Sequence, residues 1–152
     1  MKKYNVFGMG AALVDTQIRV NEKKLKDMGV EKGVMTLVDE ARQGQLLKEL
    51  SGNLLEAKHE SGGSAGNSMI ATSGFGGKAF MCCKVSDDQD GDIYISDLEG
   101  CGVAHNLENN RSSAEATGKC LVLITPDADR SMSTFLGISE RLSPLNLQYE
   151  SI

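Results

Sequence analysis

The order of apolar and polar positions breaks the chain into short strand-like runs separated by stretches of helical spacing. YNVFGMG (4–10) is a near-continuous apolar run that ends in glycines, the pattern of a buried strand entering a tight turn. TQIRV (16–20), just after Asp15, alternates polar with apolar as a half-exposed strand does. Asn21 then stands where it caps a short helix through EKKLKDM, with Leu25 and Met28 three apart and Gly29 placed to end it. GVMTLV (33–38) predicts another short strand. Asp39 caps the next helix, whose Leu46, Leu47 and Leu50 share a face, although Gly44 inside it costs about 1 kcal/mol relative to alanine. LLEAKHES (54–61) reads as a strand leading into a glycine-rich loop. KAFMCCKV (78–85) is apolar enough for a central parallel strand covered on both faces. A helix is expected through Ile93, Ile95 and Leu98, ending near Gly100 and Gly102. KCLVLI (119–124) and SMSTF (131–135) flank TPDADR, whose proline and aspartates suit a hairpin turn between antiparallel strands. Helices alternating with strands, followed by this hairpin, predict a mainly parallel α/β sheet with an accessory antiparallel layer.

Three stretches carry candidate chemistry. HESGGSAGNSMIATSGFGGKA (59–79) holds six glycines, three of them at 62, 63 and 66, before Asn67 and a short helix through SMIATS. Glycine admits positive φ and close approach to the main chain, and a loop that opens a helix aims N–H groups and the positive dipole end at an oxygen-rich or anionic ligand. The spacing is not that of a phosphate loop, because Thr72 stands five before Gly77-Lys78 and Ala79 follows the lysine. GMGAAL (8–13) resembles the start of a dinucleotide fingerprint, but Leu13 occupies the place of the third glycine. Ser86, Asp88, Asp90, Gly91 and Asp97 fall at positions 1, 3, 5, 6 and 12 of a calcium loop. That motif wants an acid first, a glutamate last and helices on both sides, whereas acids at a helix start are stabilising with no ion at all. No metal site is therefore assigned.

Composition narrows the function classes. At 152 residues, 40% hydrophobic and 24% charged, the chain suits one domain with a real core. A formal charge of −5 with a pI near 5.0 argues against a nucleic-acid surface. The N-terminus develops no signal-peptide core, and nothing approaches the roughly 20 apolar residues of a membrane span. Cys82, Cys83, Cys101 and Cys120 form no C-x-x-C pair, and neither His59 nor His105 stands at ligand spacing from them. They read as reduced, mostly buried thiols of a cytoplasmic protein. The tail RLSPLNLQYESI stops in mid-pattern, so the chain reads as cut rather than completed.

GMGAALVD, KGVMTLVDE, ESGGSAGNS, GFGGKAFMCCKVSDDQDG, LEGCGV and TGKCLVLITPDADRSMSTFLGIS follow one another at spacings that resemble the ribokinase-like, or pfkB, family of carbohydrate and nucleoside kinases, nearest its adenosine kinase branch. The resemblance covers essentially the whole chain and implies the N-terminal part of a three-layer α/β/α sandwich. A small β-sheet lid is implied within about 15–38 and 119–136. It puts Asp15 on the acceptor's hydroxyls, with Gly63, Ser64 and Asn67 around the same ring. Leu13 would touch the base of a nucleoside, and Arg130 would face phosphate charge or, equally, solvent. A carboxylate accepts from two vicinal hydroxyls, and an asparagine both donates and accepts, so these roles are chemically sound.

Family members are about twice as long, and the resemblance places the GAGD-type motif, with its general base and anion hole, in a second half with no counterpart in these 152 residues. No catalytic residue is therefore assigned to this chain. The implied reaction is transfer of the terminal phosphate of ATP, with Mg2+, to the hydroxymethyl group of a nucleoside or sugar by the full-length protein. This chain would hold the acceptor half, be inactive alone and bind neither ATP nor Mg2+ tightly. The other reading is a naturally short, non-catalytic sugar- or nucleoside-binding or interaction protein. Under either, a sheet cut partway exposes an edge and an apolar face, which predicts self-association through that surface or lid to lid.

Overall fold

The computed structural model describes residues 3–52 and 57–147, which form two compact units: 3–14, 60–118 and 136–147 in the first, 15–52, 57–59 and 119–135 in the second. In chain order the elements begin β1 (Val6–Met9), β2 (Leu13–Arg19), α1 (Glu22–Asp27), β3 (Met35–Leu37), α2 (Glu40–Glu49), β4 (Lys58–Gly62) and α3 (Ser64–Gly74). They continue β5 (Ala79–Cys82), β6 (Val85–Ser86), α4 (Gln89–Gly100), β7 (Ala104–His105), β8 (Arg111–Ser112), β9 (Gly118–Ile124) and β10 (Arg130–Phe135). Single 3-10 turns lie at Leu107–Asn109, Gly137–Arg141 and Pro144–Asn146.

In the first unit β1, β5 and β7 make a parallel sheet with β5 in the middle, as its unbroken apolar sequence predicts; all four of its residues are buried. Helix α3 packs on β1 at glycine distance. A Cβ on Gly8 would lie 2.7 Å from Met69 Cγ, and one on Gly10 would lie 2.9 Å from Ala65 Cβ. The GMG motif is thus explained by helix–strand packing. Gly66, inside α3, makes the same allowance on another side, where a Cβ would meet the Tyr94 hydroxyl at 2.5 Å. Met69, Met81, Val85, Tyr94, Leu98, Val103 and Leu107 close this core.

The acidic stretch that mimics a calcium loop is the start of α4. Asp88 is its N-cap, accepting from the Gly91 N–H at 2.8 Å, and the same carboxylate takes the Thr117 N–H at 2.9 Å and the Thr117 hydroxyl at 2.6 Å. Thr117 Oγ1 in turn accepts from the Ser86 N–H at 2.8 Å. Asp97 serves a different segment, accepting from the Ser61 N–H at 2.7 Å. Among the described residues no group of three His, Cys, Asp or Glu side chains is placed to hold a metal ion.

In the second unit five strands lie in the order β3-β10-β9-β2-β4. The TPDADR turn joins β9 to β10 as an antiparallel hairpin, and β3 runs parallel to β10. Helices α1 and α2 supply Leu25 and Leu46, and the α2 C-cap supplies Leu50, to a core shared with Ile18, Val20, Leu121 and Leu123. Their caps are those expected: Asn21 accepts from Lys24 N–H at 2.7 Å and Asp39 from Arg42 N–H at 2.8 Å, and Gly29 follows α1 with φ +64°. Lys32 ties the hairpin turn down by ion pairs to Glu22 at 2.5 Å and Asp127 at 2.6 Å; with the Thr125 hydroxyl it holds the Asp127 carboxyl down to about 2.

Several boundaries differ from the sequence reading, and β5 keeps only Ala79–Cys82 of the KAFMCCKV run. Strand β2 begins at Leu13, so Asp15 is a strand residue with a fixed face rather than a loop residue before a strand. Helix α3 begins at Ser64, which puts Gly66 and Asn67 in its first turn instead of in the loop. Strand β3 keeps only Met35–Leu37 of the six residues expected, because it is an edge strand paired on one side. Leu54, Leu55 and Glu56 of the predicted LLEAKHES strand lie outside the described residues; Ala57 precedes β4, and residues 58–61 enter it.

Asp88→Ala removes the α4 cap and leaves the buried Thr117 N–H without its acceptor. Loss of charged hydrogen bonds of this kind lowers stability by about 2–3 kcal/mol, to be read as a shifted midpoint in urea unfolding; an unchanged midpoint would contradict the assigned network.

Candidate functional site

In the first unit the candidate residues gather where β1 turns into β2 and α3 begins. Gly63 is the N-cap of α3, with φ +86° and no side-chain cap. The first-turn N–H groups of a helix have no intrahelical partner, so a start without a side-chain cap keeps its donors for water or a ligand. Gly63 is also required by its own surroundings: a Cβ there would stand 2.7 Å from the Ala11 carbonyl oxygen and 3.9 Å from Leu13 Cγ. The structure thus brings Leu13 against Gly63. Ser64 is exposed at the first position of the helix, and its carbonyl accepts from the Ser68 hydroxyl at 2.8 Å. Asn67 donates its backbone N–H to the Gly63 carbonyl at 2.9 Å and is exposed one turn in.

In the second unit Asp15 lies on β2, three residues from Ile18 and so on the sheet face opposite the helix-packed core. That face continues across the sheet. Cys120 pairs with Thr134 and Thr134 with Leu37, while Val122 pairs with Met132 and Met132 with Met35. The Thr134 hydroxyl donates to Cys120 Sγ at 3.3 Å. Burial pushes the Cys120 thiol up to about 11, against the Thr134 contact and with help from the nearby charge of Asp15. One carboxylate therefore borders a thiol and a hydroxyl in a closed, buried environment, with Met35 and Leu37 the exposed part of the same face.

Arg130 is on this same face, paired with Ile124 at the hairpin end. It is exposed, its backbone N–H donates to Asp129 Oδ1 at 3.0 Å, and four residues of strand, about 13 Å, separate it from Thr134. A cleft of about 730 Å³ lies at this end of the unit, lined by Arg19, Val20, Asn21, Lys24, Ile124, Thr125 and Pro126. Its lining contains neither Asp15 nor the Cys120–Thr134 pair, so it is separate from the carboxylate-bordered surface.

Sequence reasoning missed Cys120, Met132, Thr134 and Leu37 as site candidates. No polar–apolar alternation marked this face, because KCLVLI is apolar throughout after its lysine and the serines of RSMSTF pair with core leucines; only the register that sets Thr134 beside Cys120 defines it.

Comparison with known proteins adds three kinds of likeness. The family model described as pfkB family carbohydrate kinase matches residues 33–151. An adenosine kinase of Schizophyllum commune is 29% identical over 161 residues, covering all of this chain and 43% of that protein. Among solved structures, a probable sugar kinase from Rhizobium etli CFN 42 aligns with a TM-score of 0.90 at 33% identity, over 99% of this chain and 44% of that one. An adenosine kinase from Sinorhizobium meliloti aligns with 0.85 at 32%, over 96% and 43%. The chain thus spans less than half the length of these relatives.

Burial sorts the four free thiols: Cys82, Cys83 and Cys120 are buried with their thiols pushed up chiefly by desolvation, while Cys101 is exposed. Brief alkylation of the native protein at pH 8 is expected to label Cys101 alone; equally fast labelling of Cys120, read by peptide mass spectrometry, would contradict the closed environment described for it.

Proposed function

Since this chain belongs to the pfkB family of carbohydrate kinases, matched over residues 33–151, we propose that it carries the acceptor-binding half of a kinase that phosphorylates the hydroxymethyl group of a nucleoside or sugar, adenosine foremost. Asp15 accepts from vicinal hydroxyls of the acceptor, and Asn67 donates and accepts around the same ring. Ser64 and the uncapped amides after Gly63 add donors. Leu13 takes the base. Arg130 is a candidate for complementing phosphate charge when the full-length protein is assembled around its substrates.

The observation that supports this reading best is the start of α3. A helix opened by a positive-φ glycine and lacking a side-chain cap leaves its N–H groups available, and Gly63 stands against Leu13. The adenosine kinase and sugar kinase relatives favour a nucleoside or sugar acceptor, with adenosine ahead on the resemblance of the sequence blocks.

ATP with Mg2+ supplies the phosphoryl group in such chemistry. The described residues contain no set of side chains suited to a divalent ion, and the GAGD-type motif has no counterpart among the 152 residues, so no catalytic step is assigned to them. Phosphoryl transfer depends on positioning and charge stabilisation at the transferring group. This chain is therefore proposed to bind the acceptor without turning it over.

Self-association is proposed through edge strand β3, where Val34, Met35 and Leu37 are 37%, 53% and 60% exposed beside a backbone edge that has no strand partner among the described residues. The protein is proposed to work in the cytoplasm.

Titration of the chain with adenosine or ribose, followed by amide NMR shifts, is expected to move signals of the Gly63–Asn67 segment. Asp15→Asn should weaken binding about tenfold or more, as loss of charge-assisted hydrogen bonds does. No shift with either ligand would sink the acceptor reading, as would kinase turnover by the 152-residue chain sink its description as a non-catalytic half. Light scattering at high concentration should show species larger than one chain, and a strictly monomeric profile would remove the proposed β3 contact.

A further inference from the structure

Within the first unit, three main-chain segments meet at the start of β9. A Cβ on Gly118 would stand 2.7 Å from the Ala12 carbonyl oxygen, 2.7 Å from Leu13 Cδ2 and 2.7 Å from the Leu136 carbonyl oxygen. Gly118 is not among the glycines with positive φ. Space, and not backbone conformation, is what demands glycine here. The Ala12 carbonyl is held from a second direction. Ser139, 4% exposed at the 3-10 turn after β10, donates its hydroxyl to Ala12 O at 2.5 Å, with Lys84 O as a further acceptor at 3.2 Å. The next residue back is crowded too, since a Cβ on Gly63 would meet the Ala11 carbonyl oxygen at 2.7 Å.

Leu13 follows directly from this clamp. Its side chain is half-buried, with Gly118 against Cδ2 and Gly63 facing Cγ at 3.9 Å. Both neighbours lack side chains, so the room left by them decides where the leucine stands. The carbonyl before it is fixed by a buried hydroxyl that has only one proton to give. In the first unit Leu13 is the apolar side chain beside the open start of α3, and therefore the group best able to distinguish an acceptor that carries a flat heterocycle from one that is a bare sugar.

We propose that Gly118 and Ser139 are specificity-positioning residues: together they clamp the Ala12–Leu13 main chain and set the position of the Leu13 side chain, and through it the preference for a nucleoside over a free pentose. The inference rests on the acceptor-binding reading above. It concerns residues that touch no ligand themselves and that act through Leu13 alone.

Ser139→Ala is the gentler test, because it removes one hydroxyl without adding atoms. Affinities of the whole chain for adenosine and for ribose, from NMR titration, are expected to part company: about a tenfold loss for adenosine, equivalent to about 1.4 kcal/mol, against less than about threefold for ribose. Ser139→Thr, which keeps the hydroxyl, should stay within about twofold of the parent for both. Gly118→Ala should shift the adenosine-to-ribose ratio in the same direction and further. The methyl resonances of Leu13 should move in Ser139→Ala even without ligand, so the positioning claim has a readout that does not need Gly118→Ala to fold. A general loosening of the fold would lower both affinities by one factor; an unchanged ratio with unmoved Leu13 methyls overturns the proposal while leaving the acceptor site intact. If the parent chain binds neither ligand, the acceptor reading fails and this inference falls with it.

Discussion

Close approach of main chains through missing side chains is the constraint on which the first unit depends. Helix α3 can lie on β1 only because Gly8 and Gly10 leave room for Met69 and Ala65, and it can meet α4 only because Gly66 leaves room for the Tyr94 hydroxyl. Interiors are packed to crystal-like density, so even one methyl group at such a position forces backbone or side chain to shift. Seating α3 against β1 has a chemical consequence. Its N-terminus, opened by Gly63, stands by the Ala11–Leu13 segment that leaves the carboxyl end of β1. Crevices at the carboxyl ends of parallel strands are where open α/β sheets take their ligands. Packing requirements and candidate chemistry therefore coincide in the same few residues.

The two units carry different kinds of group. The candidate surface of the first offers backbone N–H donors, the Ser64 hydroxyl, the Asn67 amide and the Leu13 side chain, with no carboxylate among them. The second offers the Asp15 carboxylate and an apolar strip, with the Thr134 hydroxyl already donated to Cys120. Each unit also has its own core: Ala12, Val14, Met81 and Leu98 belong to one, Ile18, Leu46, Leu121 and Leu123 to the other, with no residue shared. A substitution that loosens one core acts on the groups of that unit, so effects in the two units are separable by mutation.

Much of the fold was legible because its signals are local. Asn21, Asp39 and Asp88 cap helices a few residues on, β5 announces its burial by a run of apolar side chains, and the TPDADR turn lies between the strands it joins. What stayed hidden depends on partners far along the chain. Gly66 looks like one more loop glycine until Tyr94, 28 residues later, is seen to occupy its open side. Asp88 falls at a calcium-loop spacing, yet its carboxylate belongs to Thr117. Thr134 and Cys120 each look unremarkable alone, and only the hairpin register joins them on the face that Asp15 shares. The candidate acceptor residues were reached by resemblance of sequence blocks, since nothing local to Asp15 marks it apart from other strand aspartates.

Glycine count alone is a poor guide to a ligand site. Of the glycines between 62 and 77, Gly74 has open space around it, Gly76 turns the chain with φ +84°, Gly77 clears Thr72, and Gly66 clears Tyr94. All four are explained, or left neutral, with no ligand in view. Gly63 is different in kind, because its conformation both avoids the Ala11 carbonyl and opens a helix that no side chain caps. Serine, threonine, aspartate or asparagine at an N-cap satisfies an orphan amide and typically stabilises a helix by about 1 kcal/mol over alanine, whereas glycine leaves that amide open at a smaller cost of a few tenths. Stability alone would favour a polar cap, but φ +86° and the 2.7 Å approach to Ala11 admit only glycine. The open donors are thus a direct consequence of how tightly the chain packs at this turn, and an acceptor's hydroxyls can use what the fold was obliged to leave free.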